Sequence, residues 1–597
     1  MTQGSQTVMP KRSVVSLVIA GLMGLTAPAW ADASADFDRW ADALASRRMH
    51  ANPERATFTQ YFQGEEQALV DGELARIDKP WRLQTQARDR QSLSELKRFD
   101  KRKLTPAQRT SAAIIGWALE QDASAADFVD DEFAFQQMSG LQVRIPTFMT
   151  QQQPLRNARD VKSYLARLEG IGPLMDQGIE LTRTAQAHGI LMPRFITDKV
   201  IEQFEHFLAP APDGNLLVTS FSDRMASLDS LTPEQRETAR AHAEKIVADS
   251  VIPAYRRALA LLQAQLPLMT DDAGVWRLPN GARIYANALR RMTTTDYTPQ
   301  QIHAIGLREV ARIESEMDGL LKQLGYADGS VKDRFAKMEA DQQPKAEDPR
   351  PELLARYTSI LHDAEKRAAL MFDVVPKSPV EVRREPALTE KTAAAHYTIP
   401  ARDGSRPGIF WAPLPGPSYE IAAMRTLVYH EAIPGHHFQL ALQQESTTLP
   451  HYRRSLVFTN SSAYLEGWAL YAEQLAVENH WYDGDTVGRL GQLDAALFRA
   501  RRLVVDTGLH AMKWTRQQAI DYGIAPHEVD RYVVWPGQAC AYMLGRLKIE
   551  ALRDKARQAL GDKFDIRKFH DVVLETGDVP LLVLESVVDD WIKAQKA

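Results

Sequence analysis

His430-Glu431-Ala432-Ile433-Pro434-Gly435-His436-His437 is the stretch from which the rest of the chain is read. Of fifteen histidines in the sequence, eight fall between His396 and His527, and three of those stand in this block. Such crowding points to a shared site. The run Ile421 to Val428 just upstream carries helical apolar spacing, so the histidines ride on or just beyond a helix. The pattern H-E-x-x-H of zinc hydrolases sets two imidazoles one turn apart on one face, with the glutamate beside a metal-bound water. Here the fourth position after His430 is Pro434, which cannot ligate, and His436 lies six residues on. In an uninterrupted helix that offset turns His436 to another face. Proline removes a backbone hydrogen bond and glycine accepts unusual dihedrals, so Pro434-Gly435 can loop out and carry His436 to the second ligand's place. His437 is the alternative, but seven residues put it about 10 Å along the axis of a straight helix.

A hydrolytic zinc takes three protein ligands and keeps one position for water. The third ligand expected is Glu466, in Tyr464-Leu465-Glu466-Gly467-Trp468-Ala469-Leu470-Tyr471-Ala472-Glu473. Its aromatic and alanine neighbours mark a buried helix that needs a reason to hold a charge. Glu473, two turns further on roughly the same face, is a candidate to orient a ligand histidine. Glu431 is the expected catalytic base.

Two later segments are candidates to complete the site. Arg502, Asp506 and His510 recur at four-residue spacing, so Asp506 is placed to orient His510 for oxyanion stabilisation. A structural ion-pair ladder reads the same spacing equally well. Tyr542, in Trp535-Pro536-Gly537-Gln538-Ala539-Cys540-Ala541-Tyr542, is either a second oxyanion donor or a core tyrosine. Cys540, the chain's single cysteine, reads as packing in this apolar setting.

Working outward, Lys11 and Arg12 precede the apolar run Val14 to Leu25, and Ala29-Trp30-Ala31 fits a cleavage site before Asp32. Together these read as a secretory signal over residues 1–31; the apolar run falls short of the roughly 20 residues that span a bilayer. No cysteine follows it to accept a lipid, and no other stretch reads as transmembrane. A periplasmic or secreted location without disulfides is expected. The 597 residues, 44% hydrophobic, exceed one ordinary domain, and a formal charge of −5 argues against a nucleic-acid surface. The expected division is an N-terminal helical lobe over 32–345 and a metal-site helical lobe over 346–597.

Most of the mature chain has helical periodicity, as in Pro233 to Gln263 and Pro299 to Leu324. Pro253 predicts a kink or a break in the first of these. Thr105-Pro106, Thr232-Pro233 and Thr298-Pro299, each followed by glutamine at the third helical position, predict capped starts. From about Val380 to Leu414 the pattern changes: His396 to Pro400 and Gly408 to Ala412 read as strands of a small hairpin or sheet. The latter run is expected to offer a strand edge to a peptide substrate. Lys345 to Pro351 reads as a linker.

At these residues the chain resembles the bacterial family called domain of unknown function 885. The resemblance rests on the His430 to His437 block, the Glu466-Gly467-Trp468-Ala469 block, and the segments Arg502 to His510 and Pro536 to Gly545, and it extends over nearly the whole mature chain. It implies a mainly α, zincin-like fold akin to helical oligopeptidases and carboxypeptidases, with the small β element near a cleft between two lobes. The two-residue insertion between the histidines departs from the wider zincin pattern. The expected function is zinc-dependent hydrolysis of short peptides, with His430, His436 and Glu466 holding Zn²⁺. A hydrolase of another amide or ester, and a non-catalytic metal or peptide carrier, are the competing expectations.

Overall fold

The computed structural model describes residues 33–597 apart from Leu388, Thr392 and Asp403, so the signal-type segment lies outside the described residues. Helices dominate, and their starts follow local chemistry. Thr105, Thr232 and Thr298 each accept a hydrogen bond from the backbone N–H of the glutamine three residues on, whose side chain returns a bond to the threonine backbone. Each closes a reciprocal cap that satisfies donors no helix can satisfy internally. Around Pro253 the chain runs from a helix over Pro233–Ile246 through one π-type turn, Val247–Val251, into a helix over Ile252–Gln265. The wide turn absorbs the hydrogen bond that the proline cannot donate. Residues 345–349 form the expected irregular link, ending in a helix over Arg350–Ala368.

The β element is one three-stranded sheet. β1 (Val380–Arg384), β2 (His396–Thr398) and β3 (Gly408–Ala412) stand in the order β1-β3-β2. β2 pairs antiparallel with β3, Tyr397 opposite Phe410, as the hairpin reading requires. β1 pairs parallel with β3, Val382 also opposite Phe410. This corrects the expectation that Gly408 to Ala412 offers a free edge: β3 is the middle strand. Its residues Ile409, Phe410 and Ala412 are buried, the mark of a strand covered on both faces. The outer edges belong to β1 and β2.

Three large apolar cores hold the chain together, and each takes residues from both sides of position 345. Phe37, Leu44 and Ile115 pack with Phe410, Trp468 and Leu584. Phe204, Tyr255 and Leu262 pack with Val505, Leu509 and Tyr532. Tyr285, Ile302 and Met317 pack with Leu497, Leu503 and Met543. The long helix Thr486–Ala511 therefore feeds two cores at once, and it presents Arg502, Asp506 and His510 between them. Among the described residues no helix is long and apolar enough to cross a membrane.

Candidate metal centre

Helix Met424–Leu427 opens into a π-type turn, Val428–Ala432, that carries His430 and Glu431. The turn closes with the Ile433 N–H on the Val428 carbonyl, 3.1 Å, and the backbone then leaves the helix. Ile433, Pro434 and Gly435 form a three-residue turn with a cis Ile433–Pro434 peptide, and a new helix starts at His436. Gly435 is required here for space: a Cβ would overlap the carbonyl oxygens of His430 and Tyr429. The Trp468 indole N–H donates to the Pro434 carbonyl at 2.9 Å and pins the loop to the helix that carries Glu466. The inserted residues thus loop out, as the sequence suggested.

The consequence is that His430 and His436 face each other, ring centroids 4.8 Å apart and nearly perpendicular. Glu466 stands on the helix Ser462–Glu478. Its Oε2 lies 3.5 Å from His430 Nε2 and 3.6 Å from His436 Nε2. Ligands about 2.0–2.1 Å from a tetrahedral zinc sit about 3.3–3.5 Å from one another, so these separations fit one ion. Among the described residues this is the one group of three His, Cys, Asp or Glu side chains whose ligand atoms converge, all within 4.8 Å. Two imidazoles and one carboxylate are a donor set suited to zinc.

The carboxylates set the charge state of the rings. His430 Nδ1 donates to Glu473 Oε1 at 2.8 Å, which leaves Nε2 to face Glu466. Burial alone lowers the basicity of His430, but hydrogen bonds to Glu466 and Glu473 and the nearby Glu431 outweigh it and push the ring up to about 10. The same exchange acts on Glu466: burial raises its pKa, yet the two histidines hold it well below the usual carboxylate range. Glu431 is buried beside them, and burial pushes its pKa upward against the pull of His430 and His436.

His437 points elsewhere. Its Nε2 donates to the Ser378 carbonyl at 3.0 Å, so its Nδ1 must accept from the Tyr397 hydroxyl at 2.9 Å. Burial lowers this ring to about 4, and it ties the His436 helix to the sheet as a neutral strut. His436 is therefore the second member of the cluster.

Asp506 and His510 do not form the pair that their spacing suggested. Asp506 accepts from the Tyr285 hydroxyl at 2.6 Å and from the Gly537 N–H at 3.0 Å. His510 Nδ1 accepts from the Val275 N–H at 3.2 Å, and Nε2 donates to the Tyr532 carbonyl at 2.9 Å. With both nitrogens taken by backbone in a dry core, burial lowers the ring to about 4 and holds it neutral. It joins three segments and has no nitrogen left for a substrate oxygen. Tyr542 is half-buried, its ring 4.5 Å under the Arg502 guanidinium and its hydroxyl 3.4 Å from Arg531 Nη2. It stands in the first turn of the helix Ala541–Leu560. That helix meets the Glu466 helix backbone to backbone, where a Cβ on Gly467 or Gly545 would strike the other chain segment.

Sequence reasoning missed Arg531 and Gln538 near this wall. Gln538 lies within the Pro536 to Gly545 segment but carries no chemical pattern of its own, Arg531 belongs to no motif, and no spacing ties either to Glu466. It also missed His396 on β2, whose charge bears on Glu431.

The family model described as "Bacterial protein of unknown function (DUF885)" matches residues 53–588. A solved structure from Colwellia psychrerythraea, described as a "putative lipoprotein", is 32% identical with a TM-score of 0.84, covering 93% of this chain and 99% of that one. A second, from Shewanella oneidensis, a "putative lipoprotein of unknown function", is 19% identical with a TM-score of 0.71, covering 92% and 99%, and shares the fold. No curated protein matches. With its family match running almost from end to end, through the histidine block and the Glu466 helix alike, the chain belongs to the bacterial DUF885 family.

Proposed function

We propose that this chain is a zinc-dependent peptidase of zincin-like design that hydrolyses short peptides outside the cytoplasm. One observation carries the reading: two imidazole nitrogens and a carboxylate oxygen converge at single-ion spacing with a second, buried carboxylate, Glu431, next to them. His430, His436 and Glu466 are the residues that would hold zinc. When bound, zinc lowers the pKa of a coordinated water and polarises a carbonyl.

The chain's own groups supply the rest. Glu473 fixes the His430 tautomer and orients its ring. Glu431 takes a proton from the attacking water and passes it to the leaving amine as the C–N bond breaks. Its burial raises its pKa and makes it a stronger base than a solvated glutamate. A carrier has no use for such a base at its ligand, which favours hydrolysis over simple binding. A mixed peptide library incubated with zinc-loaded protein should yield shortened products. Glu431→Gln should abolish them while the zinc content stays near one per chain; undiminished turnover by that variant would remove the assignment.

The signal-type pattern from Lys11 to Ala31 supports that location outside the cytoplasm. Two similar solved structures are each described as a "putative lipoprotein", and the single cysteine here, Cys540, is buried. A periplasmic or secreted location fits both facts.

A further inference from the structure

We infer that the outer edge of β2 receives the substrate as a fourth strand, the backbone of Tyr397 bonding the main chain of a peptide whose scissile carbonyl lies at the metal centre. This rests on the peptidase reading above and adds the form in which substrate is taken, an extended segment.

The first support is an unpaired main-chain edge. The Gly408 N–H donates to the Pro379 carbonyl at 2.9 Å, and the Ala412 carbonyl accepts from the Glu385 N–H at 3.0 Å, both toward β1. Along a strand the two main-chain groups of one residue point to one side, and the side alternates at each residue. Gly408, Phe410 and Ala412 therefore serve β1, while Ile409 and Trp411 serve their β2 partners Thr398 and His396. Tyr397, between those two, turns its N–H and C=O away from the sheet. Among the described residues neither group has a hydrogen-bond partner within the chain. One donor and one acceptor on a single residue are what an extended peptide needs to pair with it.

The second support is position. The Tyr397 hydroxyl donates to His437 Nδ1 at 2.9 Å, and His437 follows His436 directly on the helix His436–Glu445. The strand is thus tied to the residue next to a candidate ligand. Cα atoms of β2 lie within 8 Å of Cα atoms in the turn Val428–Ala432, which carries His430 and Glu431. His396, the first residue of β2, is near enough for its charge to bear on Glu431. Paired strands lie about 4.7–4.9 Å apart, so an added chain stays within about two to four extended residues of that turn.

The third support is that the side chains of β2 hold the strand from its two faces and leave the edge clear. The Trp411 indole N–H donates to Thr398 Oγ1 at 2.9 Å, and the His396 ring lies nearly parallel to Trp411, 6.3 Å away. His396 Nδ1 donates to the Ala394 carbonyl at 3.0 Å and fixes the entry to the strand. An edge already held in its pairing conformation loses little freedom when a peptide joins it. The other outer edge differs: β1 packs against the helix Arg350–Ala368 and carries Glu381, Arg383 and Arg384, charges of the kind that keep a strand edge from pairing.

The test uses the unaltered, zinc-loaded protein and needs no turnover. The probe is a hexapeptide whose central peptide link is replaced by a phosphinate, a group that ligates zinc and fixes the register. Each remaining peptide nitrogen is methylated in turn, and binding is measured calorimetrically. Methylation at one nitrogen should weaken binding about ten-fold or more, and at its neighbours less than about three-fold, because adjacent N–H groups of a strand face opposite ways. Hydrogen exchange read by mass spectrometry should slow about ten-fold at the Tyr397 amide when the parent probe binds, while residues 380–384 keep their rates. Equal losses at adjacent nitrogens, no loss at any, unchanged exchange at Tyr397, or failure of the parent probe to bind would overturn the edge even if hydrolysis were robust. Slowed exchange at Tyr397 with no products from a peptide library would instead count against the peptidase reading alone.

Discussion

His430 Nδ1 lies 2.8 Å from Glu473 Oε1, two helices apart in the chain yet buried together. The contact decides which ring nitrogen is available and in which direction it points. Glu473→Gln keeps an acceptor for Nδ1–H but removes the negative charge that strengthens the ring as a donor. Zinc affinity, measured by competition with a chelator of known strength, should fall about 10–100-fold while the fold is retained.

The adjacent histidines should separate cleanly under substitution. His436→Ala should reduce bound zinc to trace levels by elemental analysis, because two ligands remain. His437→Ala should keep the metal and lose stability instead, about 2–4 kcal/mol by urea unfolding, since it strips the Tyr397 and Ser378 partners and leaves a cavity. Zinc lost from the second variant and kept in the first would reverse the ligand assignment.

Gly435→Ala should harm both properties together. The added Cβ collides with the carbonyls of Tyr429 and His430, so the turn must shift and carry His436 with it. A loss of about 1–3 kcal/mol together with weaker zinc binding is expected. Unchanged zinc affinity in a stably folded variant would show that the turn does not set the ligand.

Acid should destabilise the zinc-free protein through rings that the fold keeps neutral. Burial lowers His437, His510 and His570 to about 4, against an ordinary 6.5. Above 6.5 neither folded nor unfolded chain protonates them, and their contribution is complete. As pH falls toward 4 the unfolded chain takes up protons that the folded one refuses, and stability drops by about 2 kcal/mol per ring at pH 5. His430, pushed up to about 10, acts in the opposite window, stabilising below 6.5 and losing that contribution as pH rises toward 10. Urea midpoints of chelator-treated protein at pH 7 and pH 5 check this; equal midpoints would mean the three rings titrate normally.

What was legible in the sequence followed from local rules. Threonine, proline and glutamine at fixed offsets gave the capped helix starts. Proline and glycine between two histidines gave the looped-out turn, and a lone glutamate among aromatics gave Glu466. The errors came where distant segments decide. β1 could not be seen as the second partner of β3, because its pairing is set across some 25 intervening residues. Asp506 and His510 share a helical face, yet Tyr285, Gly537, Val275 and Tyr532 claim their polar atoms first. Arg531, near the end of the helix Pro526–Val534, meets Gln538 and Tyr542 only through the turn that leads into the helix Ala541–Leu560.

The three cores that straddle position 345 bear on how the polypeptide is made. Phe37, Leu44 and Ile115 wait for partners such as Phe410, Trp468 and Leu584, synthesised hundreds of residues later. On a ribosome, the helix that carries Phe37 and Leu44 meets these partners only after most of the chain has emerged, whereas Phe135 to Leu262 can pack among themselves well before that. The first core therefore closes last, and the amino-terminal helices wait longest for their cover.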